Sequence, residues 1–320
     1  MQAAWLENQI LSLRPDFSLP EQPGEALVYV RLAGICATDL EMVRGYYPFT
    51  GVPGHEFVGE IARLPAGDAS SLQIGQRVVG EINAACGTCS TCQAGRPTHC
   101  ERRTVLGILN RHGTFAEYLS LPVENLHPVP PSVPDEAAVF TEPLAAALEI
   151  QQQVQIHPTD RVLLIGAGRL GQLIAQTLAL TGCDLQVVAR HPIQRQLLSD
   201  KQIHLVEPET IPERQMDVVV EATGSEDGFN LARRLVRPRG TIVMKSTYKG
   251  VLTVDFSSLV VDEITMVGSR CGPFDPALRL LESRQIDPSP LIVQEYPLEQ
   301  VLQAYQHARQ PGILKILLRP

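Results

Sequence analysis

Four cysteines in one short stretch carry the densest chemistry in this chain: Cys86, Cys89, Cys92 and Cys100, at C-x2-C-x2-C-x7-C spacing. Four thiolates on one loop can close a tetrahedral shell around zinc with no position left open. Such a site orders a loop and does no chemistry itself. Tandem two-residue gaps also occur in iron–sulfur ligation, but there the fourth cysteine follows three residues later and precedes proline. Here seven residues intervene and Glu101 follows, which favours zinc. Cys36 and His55 add one soft and one borderline zinc donor. Taken singly, each has a plain alternative: cysteine is a common small buried hydrophobe, and an isolated histidine is more often structural. Their neighbours matter more. Asp39 and Glu56 are carboxylates suited to orient the histidine ring from behind, and Thr38 puts a hydroxyl close to the Cys36 thiol.

The second chemical signal is Gly166-Ala-Gly168-Arg169-Leu170-Gly171. An apolar run, Arg161–Ile165, leads into it and a helical pattern follows. In this setting the first glycine permits a tight turn and the second lets backbone approach a pyrophosphate. The third lets the helix pack on the strand, with its N-terminus facing the anion. A second strand pattern, residues 185–190, follows at the distance expected of a βαβ unit.

These residues need elements to position them, and the chain is long enough to supply two cores. It has 320 residues, 44% hydrophobic and 19% charged, ordinary for a globular protein. No apolar run is long enough for a membrane span, and the N-terminus shows no basic segment followed by an apolar one. A net charge of −8 argues against a nucleic-acid partner. Seven cysteines without a secretory signal read as metal ligands or free thiols, which fits a cytoplasmic protein. Short β-like runs fill the first third, and four prolines in residues 127–134 mark a boundary. Helical residues 135–149 follow, with Pro143 suited to a first turn and Glu142 beside it. A strand ending in a glycine turn at 216–224 and strands at 240–244 and 264–268 then alternate with helices, which predicts a parallel sheet covered on both faces. A helix at 276–282, another at 298–308 and a strand at 313–318 end the chain, and this tail is expected to return to the first domain.

Together these pieces resemble the zinc-dependent medium-chain dehydrogenases, the group of alcohol, sorbitol and threonine dehydrogenases. The resemblance rests on Gly34-Ile-Cys-Ala-Thr-Asp39, Gly54-His-Glu-Phe-Val-Gly-Glu60, the loop 86–100 and Gly113-Thr-Phe-Ala-Glu-Tyr118. Glu142-Pro-Leu144, Gly166–Gly171, Glu221-Ala-Thr-Gly224 and Lys315-Ile-Leu-Leu complete it, in order along nearly the whole chain. It implies a GroES-like β-barrel catalytic domain at 1–136, to which 274–320 return, and a Rossmann doubly wound parallel-sheet domain at 137–273. It also implies a catalytic zinc on Cys36, His55 and Glu142, and a structural zinc on Cys86, Cys89, Cys92 and Cys100. The choice of Glu142 comes from likeness to the polyol-dehydrogenase branch.

The implied activity is hydride exchange between an alcohol or polyol, or the matching carbonyl compound, and a nicotinamide cofactor. Zinc would lower the pKa of the bound alcohol, and Thr38 would take its proton. Gly166, Gly168, Arg169, Leu170, Gly171, Thr223 and Gly224 would hold the cofactor. Two departures from the family stand out. Position 41 is Glu41, where many relatives carry a proton-relay histidine. The second Rossmann strand ends Ala189-Arg190-His191 instead of in an acid, so Arg190 favours the 2′-phosphate of NADP(H) over NAD(H). A homo-oligomer, dimer or tetramer, is expected. The rival class is a zinc-containing dinucleotide sensor or scaffold with an inactive site, and the full set Cys36, His55 and Glu142 argues against it.

Overall fold

A computed structural model describes residues 1–20, 22–248 and 250–320. The chain forms two units: Met1–Glu142 together with Phe274–Pro320, and Pro143–Pro273. Among the described residues no helix is long and apolar enough to cross a membrane.

The first unit is built on a mostly antiparallel seven-stranded sheet. Its path runs Ile292–Pro297, Lys315–Arg319, Glu25–Gly34, Glu56–Arg63, Arg77–Gly80, Leu126–Pro128, and Tyr118–Pro122 also pairs with Glu25–Gly34. The alternation of Val28, Val30 and Leu32 explains the long central strand, since these side chains share one face and are wholly buried. This strand ends at Gly34 and hands the chain directly to Cys36. Its neighbour begins at Glu56, directly after His55. Two adjacent strand ends therefore bring these segments together. The C-terminal strand closes the sheet beside them, with Leu317 opposite Gly34 and Leu318 opposite Ala33.

An N-terminal hairpin, Ala3–Glu7 with Ile10–Arg14, turns through Asn8 and Gln9, both at positive φ (49° and 65°). Two left-handed central residues match the twist of a two-residue hairpin. The proline-rich segment is bound firmly to this unit. Arg77 donates to the Pro130 and Val133 carbonyls at 3.1 and 2.9 Å and to Asp135 at 2.8 Å, while Arg31 reaches the same carboxylate at 2.7 Å. These bonds carry the first unit past the prolines and into the start of helix Thr141–Gln153.

The second unit holds a six-stranded, wholly parallel sheet. Its order is His204–Leu205, Asp184–Val188, Arg161–Ile165, Met216–Glu221, Val236–Met244, Thr265–Gly268. Leu163, Ile165, Val219 and Ile242 on these strands pack with Ala232 and Leu235 from helix Glu226–Leu235. The strand order reverses between Arg161–Ile165 and Met216–Glu221, so the ends of those two strands form the crevice where such sheets bind ligands. The outer edge is Thr265–Gly268. Close to it in sequence, helix Phe256–Val261 leaves Phe256, Val260 and Val261 exposed.

Where the chain re-enters the first unit, His127 sits between two carboxylates. Its ring lies 2.8 Å from Asp275 and 3.1 Å from Glu81 and stacks on Phe274 at 5.2 Å. Burial opposes its charging, but the two acids outweigh burial and raise its pKa. A folded-state pKa above the unfolded value gives stability that is complete below the unfolded pKa and is lost as pH rises through the folded one. His127→Gln should therefore lower the melting temperature in acid, by about 2–4 °C for roughly 1 kcal/mol. In alkaline buffer the difference from wild type should close, and calorimetry across pH reads this directly. An equal deficit at every pH would assign His127 a packing role only.

Candidate functional site

Cys36 is the N-cap of helix Ala37–Val43, and Asp39 accepts its backbone N–H at 2.8 Å. The other oxygen of Asp39 faces His55 Nδ1 at 3.4 Å. The two groups are buried, and neither Asp39 Oδ1 nor His55 Nδ1 has a hydrogen-bond partner among the described residues. Burial opposes a charge on His55, yet Asp39 and then Cys36 outweigh it and raise the ring's pKa well above the usual imidazole range. An imidazole drawn toward a proton among anions is also one that a metal cation would satisfy, since metal binding displaces that proton.

Donor atoms of Cys36, His55 and Glu56 all lie within 4.8 Å of one another. A thiolate, an imidazole and a carboxylate at this range form a zinc-type donor set. The first two were singled out from sequence. The sequence alone suggests Glu56 as a support behind the ring, and the structure brings its carboxylate into the group. That carboxylate also forms an ion pair with Lys315 from the C-terminal strand, and both side chains are almost fully buried. Glu142 is half-buried in the first turn of helix Thr141–Gln153 and stands outside the group. Thr38 Oγ1 lies 3.9 Å from Cys36 Sγ. Glu41 is bound to Arg44 at 2.5 Å, which commits its carboxylate to a cation.

Tyr305 escaped the sequence reading. It lies on helix Val301–Ala308, and its buried hydroxyl has no partner among the described residues. Burial, with the charges of Asp39 and Cys36, raises its pKa well above the ordinary phenol value. No motif spacing flags a residue so far from Cys36 in sequence.

The four-cysteine loop forms a second group. Cys89 Sγ lies 3.4 Å from Cys92 Sγ and 3.8 Å from Cys100 Sγ, and Cys100 lies 3.5 Å from Cys86. A disulfide needs about 2.0 Å, so these thiols are free. Four sulfurs at zinc–sulfur bond length on a tetrahedron are separated by about 3.8 Å, close to what is seen. Hydrogen bonds from Thr88 pull the Cys86 thiol down to about 5. Desolvation, with the hydrogen bond to Cys89, pushes Cys92 up to about 12. Arg102 donates to Cys86 Sγ at 3.2 Å, which suits an anionic cluster.

In the second unit, Gly166 takes φ +99° and Gly168 caps helix Arg169–Ala179. A Cβ on Gly171 would fall 2.1 Å from the Gly166 carbonyl, whereas a Cβ on Gly168 would meet nothing within 4 Å. The third glycine is therefore a packing requirement, and the second opens a cradle at a helix N-terminus that fits a pyrophosphate. Leu170 follows in the first turn of that helix. The neighbouring turn carries Thr223 and Gly224, the latter at φ +66°. Buried Glu221 braces that turn, accepting from Thr223 N at 2.6 Å, Gly224 N at 3.2 Å, and the hydroxyls of Thr223 and Tyr248. Arg190 is exposed just past strand Asp184–Val188 and makes no ion pair among the described residues. Arg195 is engaged with Glu207 at 2.7 Å.

Comparison with known proteins adds to this geometry. Residues 22–131 match the alcohol dehydrogenase GroES-like domain, and residues 149–257 match the shikimate/quinate 5-dehydrogenase family. The chain is 31% identical to L-galactonate-5-dehydrogenase of Escherichia coli K12, over 88% of this chain and 87% of that protein. A structure described as a zinc-binding dehydrogenase of Sinorhizobium meliloti 1021 bound to NADP superposes with TM-score 0.89 and 26% identity, covering 100% of this chain and 99% of that one. A structure described as a short chain alcohol dehydrogenase of E. coli CFT073 complexed with NADH gives TM-score 0.90 and 26% identity, with the same coverage.

The two glycines of the cradle should separate experimentally. Gly168→Ala should fold and melt like wild type yet bind dinucleotide about tenfold more weakly, because its methyl occupies the open space. Gly171→Ala should lose stability first, through its clash with backbone. Calorimetry and cofactor titration on both variants measure this; unchanged cofactor affinity in Gly168→Ala would remove the cradle.

Proposed function

Because this chain belongs to the zinc-type medium-chain dehydrogenase family, we propose that it is a zinc-dependent dehydrogenase of a polyhydroxylated secondary alcohol that prefers NADP(H). An oxidoreductase of the alcohol or polyol dehydrogenase type acting on a small molecule is the established frame. The finer reading rests chiefly on one observation: the donors of Cys36, His55 and Glu56 gather within 4.8 Å. Its chemical partner is the dinucleotide cradle built by the same chain. The name of the L-galactonate relative supports a polyhydroxylated substrate.

By the family resemblance Cys36, His55 and Glu142 are assigned to hold a catalytic zinc, and Glu56 is the carboxylate that the donor group itself supplies beside the first two. Cys86, Cys89, Cys92 and Cys100 are assigned to a structural one. When bound, the catalytic zinc supplies Lewis-acid charge stabilisation to the substrate oxygen. The chain's own groups do the rest. Asp39 faces His55 Nδ1 and holds the imidazole's orientation. Thr38, beside the thiolate, accepts the substrate hydroxyl proton and passes it outward. As that proton leaves, the carbinol carbon gives its hydride to the oxidised nicotinamide and a carbonyl forms. Glu41 is paired with Arg44 and not with Thr38, so in this reading Thr38 gives up its own hydroxyl proton to solvent water as it takes the substrate's.

Arg190 underlies the cofactor preference. An exposed guanidinium at the end of the second strand suits a 2′-phosphate through paired charge-assisted bonds. Of two structural neighbours, one is bound to NADP and the other to NADH, so the preference is argued from Arg190 and not from the fold.

Two experiments test these assignments. Metal analysis should find close to two zinc ions per chain. Cys36→Ser should remove one of them and abolish turnover with little change in melting. Cys92→Ser should remove the other and lower the melting temperature markedly. A turnover rate unchanged in Cys36→Ser would refute the catalytic assignment. Arg190→Asp should shift the ratio of NADPH to NADH affinity at least about tenfold toward NADH. A ratio left where it was would free Arg190 of any role in reading the phosphate.

A further inference from the structure

We propose that Lys315 is a positioning residue for the Cys36–His55–Glu56 cluster: by holding Glu56 in a buried ion pair, it sets how strongly that carboxylate can serve a divalent ion. The inference rests on the reading of this cluster as a metal site.

The geometry is unusually closed. Glu56 and Lys315 are 1% and 3% exposed, so neither charge is hydrated. Lys315 Nζ bonds Glu56 Oε2 and lies 5.3 Å from the centroid of the Phe140 ring, a second weak attraction for a cation. Gly34 makes the pair possible. A Cβ there would fall 2.4 Å from Glu56 Oε2 and 3.4 Å from Lys315 Cδ. The C-terminal strand is registered on the same spot, with Ile35 N–H donating to the Ile316 carbonyl at 3.0 Å. The chain thus delivers an ammonium to a carboxylate that also offers a donor atom to the group with Cys36 Sγ and the His55 ring.

Two cations then compete for one anion. A buried ammonium stripped of its counter-charge is strongly penalised, so Lys315 does not release Glu56 freely. Charge donated to the ammonium is unavailable to a metal ion, which makes Glu56 a weakened and exchangeable donor. Removing the ammonium should turn it into a full one.

The test uses the whole chain, with cobalt(II) as a coloured probe and Cys36→Ser as the blank for ion held by the four-cysteine loop. Cobalt affinity is measured by competition with a chromophoric chelator, and the visible d–d band reports the donor set. Lys315→Met should bind cobalt at this cluster about tenfold more tightly, with a displaced d–d band. Lys315→Arg should stay close to wild type in both. Without metal, Lys315→Met should melt lower than wild type, and cobalt should restore it. An affinity and a spectrum unchanged in folded Lys315→Met would overturn the proposal. If that variant does not fold, Lys315→Met is paired with Glu56→Gln to give a neutral pair. This double variant should bind cobalt more weakly than wild type, and equal affinity would also overturn the proposal. If Cys36→Ser takes up as much cobalt as wild type, the metal reading itself fails and the proposal falls with it.

Discussion

One buried ion pair ties the two ends of the first unit together. Glu56 and Lys315 are 259 positions apart, yet they meet with almost no exposure to water. Breaking such a pair by removing one partner costs about 3–5 kcal/mol, whereas replacing both by apolar groups is often neutral. Stability alone therefore does not explain why the pair is charged. What the charge adds is location: Glu56 is kept where two strand ends deliver Cys36 and His55. The strand that carries Lys315 also pairs with the strand that leads to Cys36, with Leu317 opposite Gly34.

The second unit repeats this logic with a different carboxylate. Glu221 is fully buried at the end of a parallel strand and is satisfied by two backbone amides and two hydroxyls. Its bonds shape the Thr223–Gly224 turn at the point where the strand order reverses. In each unit, then, a buried acid gives fixed geometry to a loop that carries chemistry. Buried polar networks of this kind are favourable only when every member finds a partner. Asp39 and His55 depart from that rule on one atom each. They do so beside the donor group, where a bound cation would settle the local charge.

What the sequence made legible follows from distance along the chain. The four cysteines and the Gly166–Gly171 turn encode their chemistry in spacing, and the structure gathers each as a local unit. The parallel sheet was legible because its strands are continuous apolar runs. Cys36 and His55 were legible as donors, but only their flanking carboxylates hinted that they belonged together. Spacing could not assign Glu56 its place, since that depends on which neighbour claims its oxygens. Lys315 read as part of a final strand, and nothing in residues 313–318 shows that this ammonium is buried against an acid near the start of the chain. Tyr305 was lost for the same reason. The N-terminal hairpin was seen only as β-like runs, because Asn8-Gln9 lacks the glycine that usually announces such a turn.

Glycine shows most plainly how local sequence and distant packing meet. Gly34 sits in an ordinary strand with no unusual φ, so no turn rule predicts it. Its lack of a side chain is needed because Glu56 Oε2 fills the space its Cβ would take. Gly171 is constrained in the same way by the Gly166 carbonyl, but there the partner lies five residues away and a motif records it. The physical requirement is identical in both cases, a backbone that must be approached closely. Only the sequence separation differs, and with it whether a reader of the chain alone can recognise the constraint. A residue that looks dispensable in a strand can therefore be as tightly specified as one inside a motif, and the room left at Gly34 is what lets the site hold its second charge.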